Sequence, residues 1–366
     1  MVEAVRSWLE AERIPVRRHA FTLRPYFMEL LGLWMALTGL LLPVAALARW
    51  GWGGLLLTLL ALAVPLLEVR FTQPTITALI RRRAHNLVVS FPAPRPQREV
   101  LLCAHLDSKT ELLDHYRRAR LIRLGRPTAG LALVCGALVA AESLLSPGAA
   151  ATAVRGLAVL AALPVTAYGL GMAATLVGGR FSRRPSSGAV DNGAAVAVLL
   201  TLAHRLRHSA LRLKHTSVTL LFTVGEEAQM QGALAYAKAR RHGQAHSSVP
   251  SSAVNLEALG QDGGYLLWER DGTALHSLPT AADLNDALER AVKAVAGESP
   301  LRVPAIKSDA FAFLCSGIPS TTLGSFDLEL GGRGLHSALD HPGRVRPARL
   351  SQAANVLCRL LADWGI

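Results

Sequence analysis

The sequence predicts an α/β protein with a mixed, largely parallel sheet flanked by helices, together with four transmembrane α-helices in two hairpins. Composition is the first observation: of 366 residues, 51% are hydrophobic and 18% charged, and the mean hydropathy is +0.30. Soluble proteins are on average about one-quarter charged, so this composition disfavours an ordinary soluble enzyme and excludes a disordered chain. The second observation is that strand-like and helix-like segments alternate outside the most apolar stretches, which is typical of a sheet covered on both faces.

Four apolar stretches have the length of about 17–25 residues that a membrane-spanning helix needs. They cover residues 26–48, 51–67, 127–145 and 156–179, and their only charged residues, Glu29 and Glu142, stand near stretch ends. Buried helices of a soluble protein are the alternative, but such helices rarely lack a polar face over this length.

These stretches divide the chain into alternating soluble and membrane segments. We expect hairpins over residues 26–69 and 127–179. The soluble domain then consists of an N-terminal segment and two larger parts, namely 1–25, 70–126 and 180–366.

Charge predicts the orientation of the hairpins. The turns at Arg49–Trp50 and around residues 146–155 are short, and they carry only Arg49 and Arg155. Most arginines near span ends lie on the other side, so the positive-inside rule places both termini and the soluble domain in the cytoplasm, on an inner or plasma membrane. The 39 basic and 26 acidic residues give a net charge of +13. Because the arginines follow the span ends, we assign this charge to membrane lipids and expect no nucleic-acid partner.

Polar side chains follow the predicted strands of the soluble part. Strands are predicted at 85–91, 99–104, 217–224 and 252–256, and helices at 192–207, 228–242, 283–295 and 350–364. His105 and Asp107 follow the second strand, Glu226 and Glu227 the third, and Glu257 the fourth. The carboxyl ends of strands in an open α/β sheet converge on one crevice, so these side chains are expected to meet there.

Two further residues complete this set. Asp191 stands in a glycine-rich turn before a helix, where an ordinary N-cap is the alternative role, and His336 lies near the C-terminus. Two imidazoles with several carboxylates suit a pair of zinc-like ions, and one acid of the Glu226–Glu227 pair would remain free as a base. The sequence contains no HExxH, GxSxG or GxxxxGK motif, so a zincin, a serine hydrolase and a P-loop protein lack support as alternatives.

The ordered set of motifs resembles the co-catalytic di-zinc exopeptidases, a family that includes leucyl-type aminopeptidases, glutamate carboxypeptidases and the catalytically inactive transferrin receptors. The resemblance covers roughly residues 80–110 and 180–366, and residues 8–21 look like the family's N-terminal helix and strand. The matching residues are Ala104-His105-Leu106-Asp107-Ser108, Gly188-Ala-Val-Asp191-Asn192, Gly225-Glu226-Glu227, Asn255-Leu-Glu257, Ser308-Asp309, Phe313, Gly317-Ile-Pro-Ser320, Leu335-His336-Ser337 and Asp340.

The resemblance implies a role for each candidate residue. His105 and Glu257 would bind one Zn²⁺ ion, Glu227 and His336 the second, and Asp191 would bridge them. Asp107 would orient His105. Glu226 would be the general base, which takes a proton from water and gives it to the leaving amine.

Two departures from the family pattern stand out. Glu257 occupies a position that is usually Asp and reaches one methylene further. The second hairpin separates His105 from Asp191, which are normally close in sequence. Residues 111–126, with several leucines among arginines, are then either an interfacial helix near the cleft or a plain anchoring linker.

The expected function is that of a membrane-anchored exopeptidase, in particular an aminopeptidase, acting on peptides that include apolar ones. A di-metal amidase or deacylase for lipid-like amides is an alternative, and an inactive receptor-like binding protein is another, disfavoured because base and ligands are all present. Ser308–Asp309 and the loop 331–334 are candidates for lining the cleft. If Arg333 held a carboxylate, carboxypeptidase action would follow. The sequence leaves the oligomeric state open.

Overall fold

The computed structural model describes residues 1–70, 79–208, 213–243, 249–273, 276–304, 307–330 and 333–365. The chain forms two compact units whose segments alternate along the sequence. Met1–Pro25, Arg81–Lys109 and Ser186–Ile366 form the first, termed the α/β unit, and Tyr26–Ile80 and Thr110–Pro185 form the second, termed the helical unit.

The α/β unit is built on an eight-stranded sheet in the order β1-β2-β4-β3-β5-β10-β6-β9, with β7 and β8 forming a separate pair. The strands are β1 Arg17–Leu23, β2 Arg82–Phe91, β3 Arg98–His105, β4 Thr216–Thr223, β5 Ser251–Glu257, β6 Tyr265–Trp268, β7 Arg270–Gly272, β8 Ser277–Pro279, β9 Leu301–Val303 and β10 Ser320–Ser325. Neighbours from β4 through β3 and β5 to β10 are parallel, while β1 and β2 form an antiparallel edge. The predicted mixed, largely parallel sheet is confirmed.

Helices cover both faces of this sheet. In chain order the helices of the molecule are α1 Val2–Ala11, α2 Phe27–Leu47, α3 Trp52–Arg70, α4 His115–Arg123, α5 Gly125–Glu142, α6 Ala149–Gly178, α7 Ala195–His208, α8 Gln231–Arg241, α9 Ala282–Ala296, α10 Asp309–Cys315 and α11 Pro347–Gly365. Helices α1, α7, α9 and α11 share one apolar cluster with Leu102 and Leu220, whereas α8 and α10 share another with Leu101 and Leu221. Successive side chains of a strand point to opposite faces, so each central strand contributes to both clusters.

The register of the parallel strands determines where the polar residues emerge. His105 at the end of β3 is aligned with Thr223 at the end of β4, and Cys103 is aligned with Asn255 of β5. The segments that follow β3, β4 and β5 therefore leave the sheet at the same edge.

The helical unit contains α2 to α6. Helix α2 packs against α3 and α6, and α5 packs against α3 and α6. Among the described residues, three helices are long and apolar enough to cross a membrane, namely Phe27–Leu47, Arg117–Glu142 and Ala149–Phe181. The apolar part of α3, Trp52–Glu68, is shorter.

Small residues bring the helices of this unit together. A Cβ atom at Gly169 of α6 would collide with the Met35 carbonyl oxygen of α2, and Thr166 Oγ1 donates a hydrogen bond to the Gly39 carbonyl at 2.6 Å. Such close approach through small residues is common between membrane helices.

Both acidic residues of the apolar stretches are paired with arginine. Glu142 is 1% exposed and lies 3.0 Å from Arg49 and 2.7 Å from Arg155, while Glu29 pairs with Arg180. Helix α6 begins at Ala149, seven residues before the predicted apolar stretch, because the alanines of residues 149–151 favour helix. Arg155 therefore lies on the helix rather than in the turn.

Candidate metal centre

Asp107 fixes the loop that follows β4, residues 224–230, termed the glutamate loop. Its carboxylate accepts hydrogen bonds from the backbone N–H groups of Gly225 at 2.8 Å, Glu226 at 3.3 Å and Glu227 at 3.1 Å. The Asp107 carboxylate lies 3.9 Å from His105 Nδ1, whereas the Asp107 backbone carbonyl lies 2.9 Å from that nitrogen. Asp107 thus holds both the imidazole and the glutamate loop, the first through its backbone and the second through its side chain.

The structure brings five of the expected residues together as two groups that share Asp191. In the first, His105 Nε2 lies 3.1 Å from Asp191 Oδ1 and 3.3 Å from Glu257 Oε1. In the second, His336 Nε2 lies 2.9 Å from Asp191 Oδ2 and 2.8 Å from Glu227 Oε1. The ligand atoms of each group all lie within 4.8 Å of one another.

Asp340 and Asn192, to which the sequence analysis gave no role, hold the turn that carries Asp191. Asp340 accepts hydrogen bonds from Val190 N at 2.6 Å and from Ser186 Oγ at 2.9 Å. Asn192 donates through Nδ2 to the Leu256 carbonyl at 2.8 Å, beside Glu257. The Asp191–Asn192 peptide bond is cis. The available signal was proximity in sequence, because Asn192 adjoins Asp191 and Asp340 lies four residues after His336.

The side chains of the two groups fit zinc. Asp191 Oδ1 and Glu227 Oε1 are buried and make no hydrogen bond of acceptable geometry, although a histidine Nε2 lies near each. Burial opposes the ionised form of Asp191, but the imidazoles of His105 and His336 hold its pKa well below the usual range. Ionised carboxylate oxygens facing imidazole nitrogens are a donor set that suits zinc.

Glu226 lies beside both groups without belonging to either. Burial holds the pKa of Glu226 well above its usual range; His105 opposes the shift, and the Glu227 and Glu257 carboxylates reinforce it. Burial likewise raises the pKa of Glu257 to about 7, against the effect of His105. Burial and the neighbouring carboxylates thus favour the protonated form of Glu226, and a carboxyl group that readily takes up a proton is suited to act as a general base.

Of the other residues expected to line the cleft, Asp309 lies buried near the end of β4, whereas Arg333 is exposed. Asp309, at the start of α10, is buried and accepts a hydrogen bond from Thr223 Oγ1 at 2.5 Å, next to the end of β4. Ser308 caps α10 through a bond from Ala310 N. Arg333 is exposed, and Gly331 and Gly332 lie outside the described residues. Lys307, which the sequence analysis missed, donates to Gln229 Oε1 at 3.0 Å, close to the glutamate loop.

Comparison with known families identifies the class of this chain. Residues 173–361, just over half of the sequence, match the model of peptidase family M28. The chain therefore belongs to peptidase family M28, and its class is that of the zinc-dependent metallopeptidases. The resemblance to co-catalytic zinc exopeptidases is confirmed. The matched segment contains Asp191, Glu226, Glu227, Glu257 and His336 and leaves out His105 and Asp107. No curated protein sequence matches this chain.

Two solved structures with TM-scores above 0.5 show the same fold at low sequence identity. A glutaminyl cyclase from Fimbriiglobus ruber is 14% identical with a TM-score of 0.56, covering 99% of this chain and 85% of that one. A Zn-dependent exopeptidase from Parabacteroides distasonis is 15% identical with a TM-score of 0.55, covering 99% and 88%. An aminopeptidase from Aneurinibacillus is 13% identical with a TM-score of 0.47, and the match covers 77% of this chain and 48% of that one.

Proposed function

We propose that this protein is a membrane-anchored aminopeptidase that holds two Zn²⁺ ions and hydrolyses the peptide bond next to a free amino terminus. The observation that carries the proposal is the pair of ligand groups joined by Asp191, with Glu226 beside them. One group alone would suit a single ion, but a carboxylate whose two oxygens face different histidines suits a bridging position.

Each side chain has a separate task in the proposed reaction. His105 and Glu257 would hold one ion, His336 and Glu227 the other, and Asp191 both. Zinc bound there supplies a Lewis acid that polarises the scissile carbonyl and lowers the pKa of water. Glu226 accepts the proton of the attacking water and passes it to the nitrogen of the leaving amine. Asp107 keeps Glu226 in place through the backbone of its loop.

We also propose that the helical unit anchors the enzyme through four spans in two hairpins, with both termini and the catalytic domain in the cytoplasm. Exposed leucines support an apolar environment, since Leu33 is 52%, Leu56 58% and Leu160 63% exposed. Trp50 and Trp52 stand at the first turn, where aromatic residues favour a membrane–water interface. The layout of soluble segments 1–25, 70–126 and 180–366 belongs to this proposal.

The connections between the units support a link between anchor and site. The chain leaves the α/β unit after Lys109, just beyond Asp107, and returns at Ser186, shortly before Asp191. Helix α4 lies in the first connection and carries four arginines with the exposed Ile122. This composition suits an interfacial helix and favours a second candidate function, hydrolysis of lipid-like amides by the same groups.

The test compares the full-length protein with Glu226→Gln in detergent. We expect about two zinc ions per chain in both proteins, and hydrolysis lowered about 10²–10⁴-fold in the variant, the range that general bases contribute. The exposed Glu269→Gln is the matched control and should keep full activity. Equal activity of Glu226→Gln and the wild-type protein would refute the proposed base.

The substrate panel distinguishes the candidate activities. It contains aminoacyl amides, N-blocked peptides, N-acyl lipid amides and a peptide with amino-terminal glutamine, the last because glutaminyl cyclases share the fold. Preference for free amino termini supports the aminopeptidase, and preference for acyl amides supports the deacylase. Release of ammonia without peptide cleavage would indicate a cyclase. No turnover by a zinc-loaded protein would favour a receptor-like binding protein.

A further inference from the structure

A second place in the α/β unit assembles metal-binding side chains, and it lies outside the groups described above. His204 and His208 occupy the last turns of α7, four residues apart, so their rings lie on one face of the helix. Glu12, directly after α1, faces the same point. Asp191 precedes the opposite end of α7.

Both histidines lie close to the same carboxylate oxygen of Glu12. His204 Nδ1 lies 2.8 Å from Glu12 Oε2, and His208 Nε2 lies 3.1 Å from the same oxygen. The two imidazole rings have centroids 4.7 Å apart, and the three ligand atoms all lie within 4.8 Å of one another.

We propose that Glu12, His204 and His208 form an additional zinc site, separate from the catalytic groups. Two histidines one helical turn apart with one carboxylate are a nitrogen and oxygen donor set that zinc accepts, with water completing the coordination. The side chains are accessible to solvent, since His204 is 52% and His208 47% exposed, so an ion can enter.

The elements that carry these ligands are held in place by the core. Leu9 of α1 and Leu202 and Ala203 of α7 are fully buried in one apolar cluster. The backbones of α1 and α7 are therefore fixed against each other before an ion arrives, and only side-chain rotation is needed. Three arginines are close in sequence to these ligands. Arg205 donates a hydrogen bond to Asn355 of α11, and Arg13 and Arg207 are exposed, so solvent screens their repulsion of a bound ion.

The consequence of binding is a clip between the N-terminal helix and α7. Zinc that binds the folded protein and not the unfolded chain raises the stability of the folded form. The clip would hold α1, which precedes β1 and the first hairpin, on the sheet.

The experiment counts zinc in the full-length protein in detergent after chelation and reloading with zinc chloride. His204→Gln/His208→Gln should bind one ion fewer per chain than wild type, and the increase of the unfolding temperature caused by zinc should be smaller. The exposed His242→Gln is the control and should behave as wild type.

Two further variants separate this site from the catalytic one. Glu12→Gln should also lose one ion, and it serves if the double variant fails to fold. His105→Gln/His336→Gln, which disables the catalytic groups, should still bind the additional ion. Peptidase activity of the folded Glu12→Gln protein should remain near wild type. Equal zinc content and equal thermal response in wild type, Glu12→Gln and the double histidine variant would overturn the proposal.

Discussion

Asp191 is the residue at which the charges of the candidate centre meet. It is 5% exposed, and one of its oxygens faces His105 while the other faces His336. A buried carboxylate is costly unless opposite charges or ligands compensate it. Asp340 and Asn192 fix the backbone on both sides of Asp191, so its position does not depend on its own side-chain contacts.

Substitutions in the two groups should have different effects on zinc content. Asp191→Asn should lose both ions, because it weakens both groups, while Glu257→Gln should lose one. Metal analysis of the purified proteins measures this, with the exposed Asp262→Asn as control. Full zinc content in Asp191→Asn would contradict the shared-ligand arrangement.

Asp271 should make stability depend on pH. Burial raises the pKa of Asp271 to about 7, although Ser308 donates hydrogen bonds to its carboxylate. An unfolded chain has an Asp pKa of about 3.9, so wild type loses stability as the pH rises from about 4 to above 7. Asp271→Asn should remove this loss. By pH 8 the free energy of unfolding of the variant should therefore have risen by about 2–4 kcal/mol relative to that of wild type.

The measurement is denaturant unfolding of both proteins across this pH range at constant free zinc. The test is how the stability difference between the two proteins changes with pH, because the substitution also has an effect on stability that does not depend on pH. A stability difference that stays constant from pH 4 to 8 would contradict the raised pKa.

The sequence was sufficient to name the seven candidate residues, because each stands at the end of a predicted strand or in a recognisable motif. It was insufficient for the residues that hold them. Asp340 and Asn192 act through hydrogen bonds to backbone groups distant in sequence, and such bonds leave no periodic pattern. Lys307 is a single cation whose position depends on packing against the glutamate loop.

At the scale of elements, predicted and observed boundaries agree within a few residues for the long central strands and helices. Strand β3, predicted at 99–104, spans Arg98–His105, and α9, predicted at 283–295, spans Ala282–Ala296. Strands β6 to β9 have three or four residues each, too few for alternation to be visible. The insertion of β4 between β2 and β3 was not predictable, because the hydrophobicity of a strand does not specify which strands pair with it.

Asn86 connects three elements beneath the glutamate loop. From β2 it donates through Nδ2 to the Gly232 carbonyl of α8 at 2.8 Å and accepts at Oδ1 from Val224 N, after β4, at 3.1 Å. Asn86→Ala should destabilise the protein by about 1–3 kcal/mol, since buried backbone groups lose their partners. Hydrogen exchange at residues 224–232 should become faster.

The control for this substitution is Asn355→Ala, which removes an exposed amide from α11. It should change unfolding and local exchange little. If exchange at 224–232 is the same in Asn86→Ala as in wild type, Asn86 does not hold the loop.

At the scale of the whole molecule, the membrane assignment depends on hydrophobic length and on the position of arginine. Three helices have membrane length, while α3 is shorter in its apolar part. Glu142 pairs with Arg49 and Arg155, but the positive-inside rule counts Lys and Arg and gives acidic residues little weight, so the proposed orientation depends on how many arginines lie on each side.

Topology reporters test the orientation. A fluorescent protein fused after Ile366 should fluoresce as cytoplasmic fusions do, and alkaline phosphatase inserted at Gly148 should be active on the far side. Four spans require both results together with a second active insertion at Arg49–Trp50. An inactive phosphatase at Arg49–Trp50 with an active one at Gly148 would contradict the first hairpin.

The strand order has a consequence for biogenesis. In the finished sheet, β4 lies between β2 and β3, yet β4 is synthesised after all five helices of the helical unit. Until residues 216–223 emerge from the ribosome, β2 and β3 lack the strand that lies between them. Both ligand groups of Asp191 are also incomplete, because Glu227, Glu257 and His336 come later in the chain. Domains generally fold as units once their chain is available. If the helical unit is the proposed anchor, the ligand groups are completed only after that anchor has been synthesised, so a nascent chain that fails to reach the membrane is not yet an active peptidase.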